Sequence, residues 1–144
     1  MPATEPVRAA PPQPLPDADS APFWAALAEG VIRLQYSPQA GRWQFPPLER
    51  CRFTGGPLEW RDIDRSGTVH SFIVQHRPVA PGFADEMPYV ILLVEPDDAP
   101  GVRLPTRLID ADPERATVGM QVALEVVAHP GGDFHVIVAR MDLL

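Results

Sequence analysis

Hydrophobic positions along the chain change period once, near Gly30. Phe23, Trp24, Leu27 and Ala28 fall at helical spacing between Ser20, a residue type that caps helices, and Gly30, a type that ends them. Pro22 is tolerated in a first turn, so the pattern predicts a short amphipathic helix over residues 21–29. From Val31 the period drops to two: Ile32, Leu34 and Tyr36 alternate with Arg33 and Gln35. Residues 37–41 then read as a turn and residues 42–45 as a return strand, which makes a hairpin. Pro46 and Pro47 stop the pairing, residues 51–57 form a second turn-like stretch, and an extended pattern resumes over 58–64 around Trp60. Residues 31–60 are therefore expected to form a small ribbon module.

Beyond Gly67 the chain reads as β segments punctuated by proline and glycine, over residues 68–77, 89–95, 102–109, 121–128 and 134–142. Asp112, Pro113 and Glu114 supply a cap, a first-turn proline and a first-turn carboxylate, so one helical turn fits between the third and fourth segments. Gly131 and Gly132 suit a hairpin between the last two. The expected fold class is mainly β: a five-stranded OB-type Greek-key barrel over 61–144, preceded by the helix (21–30) and the ribbon. A sandwich fragment or an SH3-like barrel shares this pattern. No internal repeat is present.

Composition narrows the function. The chain's 144 residues, 45% of them hydrophobic, suit one compact core with a small appendage. Its first 22 residues hold seven of the 19 prolines and no aromatic residue, so residues 1–20 are expected to be a disordered or extended arm. A formal charge of −7, with twelve arginines and no lysine, argues against nucleic acid as a partner. A lone cysteine, Cys51, cannot form an internal disulfide, and no signal-like or membrane-length apolar segment occurs, so a cytoplasmic location is expected.

Several local features then fall into one order. Phe23-Trp24, Leu34-Gln35 and Gln44-Phe45-Pro46-Pro47 are followed by Leu58-Glu59-Trp60, Gly67-Thr68-Val69 and His76-Arg77-Pro78. Pro81-Gly82-Phe83, Pro88-Tyr89 and Val118-Gly119-Met120 complete the series. In this order the chain resembles the acyl-CoA-associated OB-fold family known as domain of unknown function 35. The resemblance implies two C-x-x-C pairs around the Gln-Phe-Pro-Pro segment, holding a rubredoxin-like zinc. Laid on this chain, the four ligand positions are Ser37, Ala40, Cys51 and Thr54, so three thiolates are missing, and no histidine lies between residues 31 and 60. No metal and no bound cofactor are expected. Packing of Tyr36, Trp43, Phe45, Phe53 and Trp60 is the expected replacement for the zinc, and Cys51 is expected to be a buried thiol.

The resemblance also implies contact with coenzyme A thioesters as ligand. Residues 31–60 carry a net charge of +2 and residues 61–144 a net of −6. Arg42, Arg50 and Arg52 are accordingly the candidates for the phosphates of CoA, against the alternative of a solvated face or a patch meeting an acidic partner. The long loop over residues 76–89 offers His76, Arg77, Phe83 and Tyr89 for an acyl chain or a partner's entrance; alternatively, its prolines stiffen a cover and Phe83 plugs the barrel end. No nucleophile elbow, metal-binding histidine pair or phosphate-cradling loop is present, and no catalytic residue is assigned. By resemblance the expected function is a non-catalytic accessory subunit in a hetero-oligomer. Its partner would be a thiolase-like protein of the lipid-transfer thiolase or aldolase type, or a hydratase-like one, and it would help form that partner's acyl-CoA site. The alternatives are a stand-alone acyl-CoA-binding protein or thioester hydrolase, and a nucleic-acid-binding OB-fold.

Overall fold

The computed structural model describes residues 10–78 and 81–142. Helix α1 spans Ala21–Ala28 and ends on Gly30, whose φ of 80° favours glycine and whose N–H donates to the Leu27 carbonyl (2.9 Å). Ser20 occupies the N-cap position but does not cap with its hydroxyl. Its Oγ accepts from Asp17 N (3.1 Å) while its own N–H donates to Asp17 Oδ1 (2.8 Å), a reciprocal turn ahead of the helix. That local pairing captures the hydroxyl that the cap would use.

The ribbon is a three-stranded antiparallel sheet of β1 (Ile32–Ser37), β2 (Arg42–Gln44) and β3 (Glu59–Ile63), in the order β2-β1-β3. Its alternating apolar face joins α1: Phe23, Leu27, Ile32, Leu34 and Ile63 are buried in one cluster that continues into the barrel through Val69 and Val94. The helix therefore joins the two modules through one shared core. Phe23 packs edge-on against Phe45 of the ribbon (5.5 Å between centroids), and Trp24 against Phe134 of the barrel (5.9 Å).

Five strands close the barrel: β4 (Ser66–Gln75), β5 (Tyr89–Pro96), β6 (Leu104–Leu108), β7 (Gln121–Ala128) and β8 (His135–Met141), in the order β4-β5-β6-β8-β7. All pairings are antiparallel except β6 with β8, and β4 returns to pair with β7 through residues 66–68. That is the OB arrangement. Strand β4 serves both neighbours because it bends, with a register shift between Val69 and Ser71. At Gly67 a Cβ would stand 2.5 Å from Val94 Cγ1 and 2.8 Å from Glu95 O, so the strand crosses where only glycine fits. Inward positions Val90, Leu92, Val94, Leu104, Val122 and Leu124 fill the interior. A 3-10 turn, Pro113–Arg115, follows β6, with Asp112 Oδ1 accepting from Glu114 N (2.9 Å).

Residues 10–16 of the arm run without helix or strand over one end of the barrel. The Pro12 carbonyl lies 2.8 Å from His129 Nε2, and Gln13 Nε2 donates to the Pro130 carbonyl at 2.9 Å. Residues 1–9 of the expected arm lie outside the described residues. Among those described, no helix is long and apolar enough to cross a membrane.

Candidate functional site

Two places combine several of the sequence-derived candidates. The first is the ribbon's pair of turns. Gly41 N donates to Ser37 O (2.8 Å) and Ala40 N to Ser37 Oγ (3.1 Å); Gly55 N donates to Cys51 O (2.8 Å) and Phe53 N to Cys51 Sγ (3.4 Å). The turns thus repeat one another around Ser37 and Cys51, both buried. Hydrogen bonds from Ser37 and Thr54 reach the Cys51 sulfur and lower its pKa from 9.0 to about 7. Three of the four positions that the family resemblance assigned to zinc are joined here by side-chain hydrogen bonds. Among the described residues, no group of three or more His, Cys, Asp or Glu side chains could hold a metal ion.

Of the five aromatic residues expected to replace the zinc, all but Phe53 pack on the ribbon or its core. Phe53 is exposed, whereas Tyr36 and Trp43 (5.1 Å apart) stand on the face of the hairpin that carries Ile32 and Leu34, and Trp43, Phe45 and Trp60 are partly buried against the core. The middle of the ribbon is polar. Gln35 and Gln44, paired across β1 and β2 and each only 4% exposed, form a clamp. Gln35 Oε1 accepts from Leu48 N (2.9 Å) and Gln44 Nε2 (3.3 Å), and Gln35 Nε2 donates to Leu48 O (2.7 Å). Gln44 in turn donates to Arg50 O (3.4 Å) and accepts from Arg52 N (3.0 Å). The excursion between the two turns is thereby fastened to the sheet by amides.

The three candidate arginines border the second turn. The Arg42 guanidinium lies over the Phe53 ring at 3.6 Å, Arg50 Nη1 donates to Gly55 O (3.4 Å), and Arg52 is exposed. Among the described residues none of the three has a carboxylate within ion-pair distance. By contrast Arg33, Arg61, Arg103, Arg107 and Arg140 are each paired with an acid. The patch can therefore offer its charge to an anion.

The second place is a groove of about 590 Å3 on the outside of the barrel. Its floor is the outward row of the sheet: Ile91, Arg107 and Val138 stand in register across β5, β6 and β8, and Val136 stands opposite Val127 of β7. Phe83 and Tyr89 form one wall with ring centroids 5.4 Å apart, and Arg107 lies 5.2 Å from the Tyr89 ring while pairing with Glu86. Pro11 and His129 close the opposite side. Phe83 and Tyr89 are thus brought together here. His76 and Arg77 are not: both are exposed at the end of β4, the Arg77 carbonyl is held by Gln75 Nε2 (2.7 Å), and neither lines the groove. Arg107 escaped the sequence reading because a lone charge in an alternating strand looks solvated.

Comparison with known proteins gives these features relatives. Residues 60–127 match the family described as the ChsH2 C-terminal OB-fold domain. A probable enoyl-CoA hydratase alpha subunit of Thermomonospora curvata is 34% identical over 116 residues, 79% of this chain and 35% of that protein. A DUF35 domain-containing scaffold protein of Methanocaldococcus jannaschii is 36% identical over 81 residues, 54% of this chain and 55% of that one. The chain thus spans about a third to a half of the length of these two relatives. Among solved structures, a chain of the Ltp2-ChsH2(DUF35) aldolase superposes with a TM-score of 0.79 at 28% identity, over 91% of this chain and 100% of that one.

Proposed function

Because the chain belongs to the OB-fold family of the ChsH2 C-terminal domain and of DUF35 proteins, we propose that it is an accessory subunit without catalytic residues of its own. It binds a thiolase-like or hydratase-like partner, of the lipid-transfer thiolase or aldolase type, and helps form that partner's acyl-CoA site. The observation that carries this reading is the match, over 91% of this chain, to a chain of the Ltp2-ChsH2(DUF35) aldolase. The geometry supports it in two ways. Leu48 and Phe53 are exposed, and Phe53 lies under the guanidinium of Arg42, which has no acid partner among the described residues; this suits a protein surface or the phosphates of CoA. Glu86, one of the acids that could have assisted His76, is committed to Arg107. We place the complex in the cytoplasm, and coenzyme A thioester is the ligand of the assembly rather than a resident cofactor.

Co-expression with a thiolase-like or hydratase-like protein encoded beside it tests the proposal. A complex that survives gel filtration, burying at least about 1,000 Å2, is expected, with the isolated chain inactive on acyl-CoA. Within that complex, Arg42→Ala with Arg52→Ala should weaken CoA binding and flatten its salt dependence. Turnover of acyl-CoA by the chain alone at ordinary enzyme rates would defeat the reading.

A further inference from the structure

We infer that the groove on the outside of the barrel is a closable binding pocket for a mostly apolar small molecule bearing one anionic or carbonyl oxygen, and that residues 10–13 are the strap over it. The pocket lies within this chain, so the inference goes beyond the accessory role and needs no partner.

Size and lining are those of a ligand site. A volume of about 590 Å3 falls in the range of small-molecule pockets, and the floor of Ile91, Val127, Val136 and Val138 is aliphatic. These residues point away from the barrel interior, where an open sheet face would ordinarily carry polar side chains. A donor is fixed in the lining. Arg107 Nη1 is held by Glu86 and its guanidinium lies against Tyr89, yet Nε is buried and has no hydrogen-bond partner among the described residues. A buried, immobilised guanidinium N–H without an acceptor is what an oxygen-bearing ligand would satisfy.

The strap is fitted as a separable part. At Gly82, with φ of 87°, a Cβ would stand 2.3 Å from Pro11 N; at Gly132 it would stand 2.1 Å from Gln13 Oε1. The loops on both sides thus lack side chains where the strap crosses. Its polar fastenings to the barrel are the Gln13–Pro130 and Pro12–His129 contacts, both exposed to water. Closure by a few exposed bonds is readily reversed.

The test is a methyl-resolved NMR titration of the full chain with sodium dodecanoate. Shifts that saturate at Ile91, Val127, Val136 and Val138 are expected, with affinity lowered about tenfold in Arg107→Met, the loss of roughly one charge-assisted hydrogen bond. Val136→Phe, which fills the floor, should abolish the shifts while the chain keeps its melting transition. Should that variant fail to fold, Val127→Leu, a smaller intrusion, should still weaken binding severalfold. Gln13→Ala should raise the association rate severalfold, because it frees the strap without touching the floor. Undisturbed floor methyls, equal affinity in wild type and Arg107→Met, or a Gln13→Ala association rate matching the wild type would each overturn the inference.

Discussion

Replacing Gln35 with leucine removes the centre of the amide clamp while keeping an apolar side chain of similar size. Three hydrogen bonds disappear: Leu48 N to Oε1, Nε2 to Leu48 O, and Gln44 Nε2 to Oε1. Each contributes about 0.5–1.5 kcal/mol net, and a partner left buried and unpaired adds to its own loss, so a cost of about 3 kcal/mol follows. For a chain of this length each kcal/mol moves the melting temperature by roughly 2–4 °C, giving a fall of roughly 6–12 °C in a thermal melt followed by circular dichroism. The double variant Gln35→Leu/Gln44→Leu should cost less than the two singles added together, since Gln44 has already lost a partner in the first. Trp43→Ala supplies the contrast. Its ring is half-buried, against Tyr36 and the edge of the core, so about 2 kcal/mol is expected, below the ~3–5 of a fully buried aromatic. A Gln35→Leu variant melting within about 1 °C of wild type, or a Trp43→Ala variant damaged more than Gln35→Leu, would show that the amides do not hold the ribbon.

Two further outcomes concern the vacated ligand positions. Since hydrogen bonds from Ser37 and Thr54 depress the Cys51 pKa to about 7, the folded chain loses the thiol proton before the unfolded chain does. Stability should therefore rise between about pH 7 and pH 9 and be lost as pH falls through 7; Ser37→Ala should flatten that rise, read from denaturant melts across pH. Elemental analysis of purified protein should find far less than one zinc per chain, and a chelator should leave the melting temperature unchanged; stoichiometric zinc would overturn the ligand assignment at Ser37, Ala40 and Thr54.

What could be read in advance follows from the range over which each force acts. The barrel strands were legible because Val90, Leu92 and Val94 declare their inward face by alternation alone, and Asp112 with Pro113 declares a helical turn within three residues. Gln35 shows the limit. Alternation assigns it to the wet face beside Arg33, yet it is buried because the excursion to Leu48 folds over it and brings backbone groups that only an amide with both a donor and an acceptor can match. Nothing within the strand announces a partner thirteen residues away. The candidate site divides on the same line. Phe83 and Tyr89 stand out as aromatics in a long loop, and the loop's own fold brings them together. Arg107 becomes a pocket residue only because Glu86 and both rings come down upon it from twenty residues earlier. Residues 10–16 of the arm are extended, one of the two states that composition allowed. Too few apolar groups to form a core does not mean too few to lie across one, because docking needs only matching glycines on the receiving side. Gly82 and Gly132 stand on two different loops, and they acquire that meaning only once the barrel has closed and set those loops side by side.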